Sequence, residues 1–141
     1  MALWPSYVSL EWDLSFYGMI PERVYTITSV TLGKNKEYHT PIGRFTYCKI
    51  PEKSYPVGIT QKTYSNFMET FLIATPEKAL IDLVYKTCKN LNKEQLKIEL
   101  LESKRIDIEF LHNLDKPLLR EIANFYKSSS VKNLIYLLGE I

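Results

Sequence analysis

The sequence predicts an α+β fold, with an antiparallel β-sheet in the N-terminal half, flanked by an N-terminal helix and a C-terminal helical cluster. Three observations carry that prediction. Leu10, Leu14 and Tyr17 fall at helical spacing near the start. Segments rich in β-branched and aromatic residues, separated by turn residues, fill 20–74. From residue 75 onward the apolar period becomes that of a helix and stays so. The length suits one domain, 1–141, strand-rich over 20–74 and helical over 75–141.

In order, Ser9 is placed to cap a helix over LEWDLSFY, and Gly18 to close it in the left-handed conformation. Pro21 prevents continuation. VYTITSVT (24–31) reads as a strand, LGKN (32–35) as a turn, KEYHT (36–40) as an answering strand and PIG (41–43) as another turn. RFTYCKI (44–50) is a third strand, with Phe45 and Tyr47 on one face and Thr46 and Cys48 on the other. YPVGIT (55–60) is a broken or edge strand, because Pro56 cannot donate to a ladder. ETFLIA (69–74) is a short apolar run suited to a central strand.

The helical half starts with ATPEKALIDLVYKTCKN, ending near Asn90. KEQLKIELLES follows, with Leu96, Leu100 and Leu101 on one side, and Asp107 caps a short third helix. KPLLREIANFYK accepts Pro117 in its first turn and carries Leu118, Ile122, Phe125 and Tyr126. SSSVKNLIYLLGE closes the chain, with Val131, Leu134, Ile135 and Leu138 in helical phase.

Composition excludes several classes. Apolar residues make up 45%, enough to bury a core, and the 18 aromatics suit pleated, half-buried surfaces. Net charge is only +2, and the two halves, 1–60 and 61–141, are each near balance, so charge alone does not argue for nucleic acid. Cys48 and Cys88, with His39 and His112, make no zinc spacing, and free thiols fit a reducing cytoplasm. No apolar run approaches the ~20 residues of a membrane span, and the start lacks the pattern of a secretory signal.

The densest polar stretch is ATPEKALIDLVY, 74–85. Thr75 is a good N-cap, Pro76 suits the first helical position, and Glu77 meets the positive end of the dipole. Lys78 and Asp82 are i, i+4 partners. Glu77 and Asp82 lie about 140° apart around a helix and do not converge as an acid/base pair. Glu102-Ser103-Lys104 matches the E-x-K of metal nucleases, but at a helix end rather than on a strand. Lys34, Lys36, Arg44, Lys49 and Lys53, interleaved with Tyr38, Phe45 and Tyr47, form a candidate basic-aromatic face for nucleic acid. The five glycines are scattered, so no phosphate-cradling loop is expected, and no nucleophile elbow is present. The expectation is a protein that is not an enzyme, with no catalytic residue, cofactor or metal.

Three stretches in this order, WPSYVSLEWDLSFYGMIPERVYTITSVT (4–31), IGRFTYCKI (42–50) and TPEKALIDLVY (75–85), resemble the AbiEi family of bacterial antitoxins from abortive-infection, type IV toxin–antitoxin systems. RIDIEFLHNLDKPLLREIANFY (105–126) also fits the pattern. The motif positions are Pro5, Ser6, Tyr7, Glu11, Tyr17, Gly18, Glu77, Lys78 and Asp82. The resemblance implies a non-catalytic antitoxin and regulatory domain that counters a nucleotidyltransferase-like toxin without a stable complex. It also implies an N-terminal winged helix that binds operator DNA. The sequence has four residues before the Pro5 motif, so that winged helix is expected to be missing and the antitoxin role, rather than repression, is carried over. The family supplies no catalytic residue, and its motif positions are expected to serve mostly as scaffold. The alternative is a nucleic-acid-binding regulator module using the basic-aromatic face.

Overall fold

In a computed structural model, the described residues are 6–21, 25–41, 43–64 and 69–140. The architecture is α+β. Six strands, β1 (Ser6–Val8), β2 (Ile27–Thr31), β3 (Lys36–Thr40), β4 (Gly43–Lys49), β5 (Ile59–Tyr64) and β6 (Glu69–Ala74), make one sheet in the order β3-β4-β2-β1-β6-β5. Among the described residues six α-helices accompany it: α1 (Leu10–Phe16), α2 (Pro76–Thr87), α3 (Lys93–Ile98), α4 (Ile108–His112), α5 (Lys116–Ala123) and α6 (Ser129–Glu140).

Local chemistry explains most boundaries. Gly18, at φ +75°, ends α1 with a complete Schellman motif. The Met19 amide donates to the Leu14 carbonyl at 2.9 Å and the Gly18 amide to that of Ser15 at 3.0 Å. Met19 and Leu14 are both buried, as the apolar contact of that motif requires. Thr75 caps α2 through the Lys78 amide at 3.3 Å, with Pro76 at the first position. Asn92 and Gln95 form a capping box on α3, which widens into a π-turn over Glu99–Ser103. Asp107 and Asp115 cap α4 and α5 through the amides of Glu109 and Leu118.

Four features differ from the sequence reading. The sheet is mixed: β1 runs parallel to β6, and β2 parallel to β4. Strand β1 stands near its middle, between β2 and β6, although three residues carry too short a pattern to be read as a strand. And Ser9 does not cap α1 with its side chain. Thr28 of β2 does that work, accepting the Trp12 amide at 3.0 Å while donating to the Ser9 carbonyl at 2.6 Å. The edge strand expected at 55–60 begins later, at Ile59.

The core centres on α2. Every residue from Glu77 to Val84 is buried, so this helix is covered all round rather than along one stripe. It packs against α1, α5 and α6, while α6 also holds α3. Tyr7, Leu10, Leu14, Leu80, Leu83, Ile122, Leu134 and Leu138 belong to the same apolar cluster. No helix among the described residues is long and apolar enough to cross a membrane.

Candidate functional site

The motif positions at the two ends of the resemblance meet inside the protein. Asp82, on α2 and fully buried, accepts the Tyr7 hydroxyl of β1 at 2.7 Å and the Ser9 hydroxyl at 2.8 Å on one oxygen. Its other oxygen accepts the Tyr126 hydroxyl, from the segment after α5. Lys78, one turn before Asp82, is equally buried. Its Nζ donates to the Ser54 carbonyl and to the Tyr126 hydroxyl, the latter at 3.2 Å. It also lies 5.5 Å and 5.4 Å from the ring centres of Tyr7 and Tyr126, within cation–π range.

Lys78 and Asp82 are therefore joined through Tyr126, and no direct ion pair links them within 4.0 Å. This corrects the direct i, i+4 pair expected from their spacing. Their charges stay inside because each has polar partners: Asp82 accepts three hydroxyls, and Lys78 has a carbonyl, a hydroxyl and two aromatic faces.

Burial acts on every titratable member. It pushes the Asp82 carboxyl up, opposed by the Lys78 charge and by the hydroxyls of Tyr126, Tyr7 and Ser9. It lowers Lys78 to about 8, opposed by Asp82. The Tyr7 and Tyr126 hydroxyls are raised by burial and by the Asp82 charge, which keeps both as donors.

A second carboxyl stands near this network. Asp13 of α1 is buried, and neither oxygen accepts a hydrogen bond of good geometry, although the Ala74 amide faces it. Burial first, then the charge of Asp82, raises it well above the ordinary carboxyl range. Glu77 is also buried and accepts the Asp115 amide at 3.0 Å, joining the start of α2 to the start of α5. Its expected role at the dipole is thus accompanied by a tertiary contact that spacing did not reveal.

The other motif positions lie apart from the network. Ser6 and Glu11 are half-buried on β1 and α1. Tyr17 caps the C-terminal end of α1, and Gly18 ends it. Pro5 lies outside the described residues, as does Trp4. Sequence reasoning missed Ser9 as an Asp82 partner, Tyr126 as the bridge and Asp13 as a buried acid. Tyr126 had one signal, its phase with Leu118 and Ile122, but that phase marks an inward side chain and not its hydroxyl.

The basic-aromatic set is divided by strand register. Lys36 pairs with Tyr47, and Tyr38 with Phe45, so these four share a face with Lys49. Tyr38 and Tyr47 meet edge-to-face at 6.0 Å. Arg44 pairs with His39 on the opposite face, where it forms an ion pair with Glu37. Lys34 is exposed on the loop before β3, and Lys53 in a short 3-10 turn over Glu52–Ser54. In the E-x-K stretch, Lys104 reaches Glu99 at 3.7 Å, and the segment is a helix end as expected. Among the described residues, no group of three His, Cys, Asp or Glu side chains is placed to hold a metal.

Compared with protein families, with curated proteins and with solved structures, the chain finds no match in any of the three.

Proposed function

We propose that this chain is a non-catalytic antitoxin and regulatory domain of a bacterial type IV toxin–antitoxin, abortive-infection system, resembling the AbiEi family and countering a nucleotidyltransferase-like toxin in phage defence. One observation supports this reading beyond the sequence resemblance. Tyr7, Lys78 and Asp82, from motif stretches some seventy residues apart, converge in one network closed to solvent. Such a network holds β1, α2 and the segment after α5 in register; it offers no atom to a substrate. The motif then specifies a scaffold, and action on the toxin falls to the outer surface. The reading places the protein in the cytoplasm. Co-expression with the nucleotidyltransferase-like toxin encoded beside it tests the proposal. Growth restored by residues 1–141 is the expected result; unrelieved toxicity beside a folded, soluble chain rejects it.

A second reading, a nucleic-acid-binding regulator module, is favoured by the shared face of Lys36, Tyr38, Phe45 and Lys49, on which Tyr47 is buried beneath the others. It predicts affinity for single-stranded DNA that falls steeply with salt. Lys36→Ala with Lys49→Ala should then flatten the salt slope, whereas Arg44→Ala, on the other face and paired with Glu37, should change it less. An equal slope in all three proteins argues against this reading.

A further inference from the structure

A cleft of about 470 Å³ lies where the end of β4, the C-terminal end of α2 and the start of α6 come together. Four lysines line it: Lys49, Lys86, Lys89 and Lys127. All four are exposed, and among the described residues none is paired with a carboxylate. No acidic residue contributes to the lining. Four like charges around one concavity repel one another and focus a positive potential into it, which an anion relieves. The first turn of α6, a helix of 12 residues, adds the positive end of its dipole from the same side. Ser128 caps that helix through the Val131 amide at 3.3 Å, while Ser129 stays exposed in the lining.

Shape selects among anions. The cleft falls in the range of small-molecule pockets, roughly 300–1,000 Å³. One wall carries the ring of Tyr85, held edge-to-face against Tyr126 at 5.4 Å. A compact ligand with several negative charges at one end and a flat apolar body at the other matches this arrangement. Cys48 also lines the cleft, half-buried; burial pushes its thiol up, with Asp82 and Glu11 adding to the rise and Lys86 and Lys89 opposing it.

We propose that this cleft binds a nucleoside di- or triphosphate, with the lysines and the start of α6 on the phosphates and Tyr85 against the base. The site adjoins the buried network through Tyr85 and Tyr126 but stands or falls separately from the antitoxin reading.

Calorimetric titration of the full chain at low ionic strength tests it, with ATP, inorganic tripolyphosphate and an oligothymidylate as probes. ATP is expected to bind, tripolyphosphate to compete more weakly, and Lys86→Ala with Lys127→Ala to weaken ATP at least about tenfold through the two lost charges. Lys62→Ala with Lys97→Ala, elsewhere on the surface, should leave binding unchanged. ATP should also slow iodoacetamide labelling of Cys48, since Cys88 is buried and silent. No heat with ATP, equal affinity in the cleft variant, or unprotected Cys48 would overturn the proposal. So would oligothymidylate binding that ATP does not displace, which would assign the lysines to a nucleic-acid backbone instead.

Discussion

Lys78 and Asp82 share the interior through the Tyr126 hydroxyl, and that arrangement sets what each substitution does. Tyr126→Phe keeps the ring and removes the bridge, leaving one oxygen of Asp82 and one proton of Lys78 short of a partner. The expected loss is about 1–3 kcal/mol in urea unfolding, the cost of unsatisfied buried groups. No change in midpoint would mean that water takes the hydroxyl's place. The pH dependence follows from two opposite shifts. Lys78, lowered to about 8 from 10.5, is deprotonated more readily in the folded chain. Between those values the unfolded state holds more protons, so this group makes stability rise with pH across that window. Lys78→Met should remove the rise. Asp13, raised by burial, behaves in the opposite sense: the folded state holds the extra proton above pH 3.8, and stability falls as pH climbs towards its folded value. Asp13→Asn resembles the protonated form and should raise the unfolding midpoint at neutral pH, with the gain shrinking towards acid. A lower midpoint at neutral pH would show that the Asp13 charge is compensated after all.

At the scale of elements, two glycines should respond differently to alanine. Gly18 needs its positive φ, but a Cβ there would meet only Phe110 at 3.8 Å, so strain alone, about 1–2 kcal/mol, is expected. Gly58, at φ +82°, would place a Cβ 2.8 Å from Ile122 Cδ1 and 3.1 Å from Lys78 Cβ. Overpacking then adds about 1–3 kcal/mol to the strain. Equal losses at the two sites would contradict the packing of β5's approach on α2. Thr28→Val should cost about 1 kcal/mol by uncapping α1 from a neighbouring strand. Most element limits were legible, because caps and periodicity are local: Gly18, Thr75-Pro76, Asp107 and Pro117 mark them directly. What was not legible depends on distant partners. The parallel pairing of β1 with β6 joins Val8 to Ile73, and nothing near Val8 announces it. Likewise Ser9 has the residue type of a cap, yet its hydroxyl turns to Asp82, which lies 73 positions away.

For the whole molecule, the resemblance pointed at Tyr7, Lys78 and Asp82 before any geometry did, but their mutual contact could not be read from two separate stretches. Tyr126 completes the network from a third, and the lysine cleft draws on positions 49, 86, 89 and 127, which no linear window contains. Both sites are products of topology: α2 threads the centre, so its buried turn meets β1 while its exposed end meets β4 and α6. On the proposed reading the interior serves the fold, and any action on a toxin falls to the surface. Growth rescue by a folded network variant tests that division most directly. Cells carrying the nucleotidyltransferase-like toxin would receive either residues 1–141 or the Ser9→Ala chain, at a temperature where both are soluble and folded. Both are expected to restore growth to the same extent, because Ser9 is buried and supports the scaffold. Rescue by the first chain and not by the second, at equal folded abundance, would contradict this division and make the buried network part of the proposed antitoxin action.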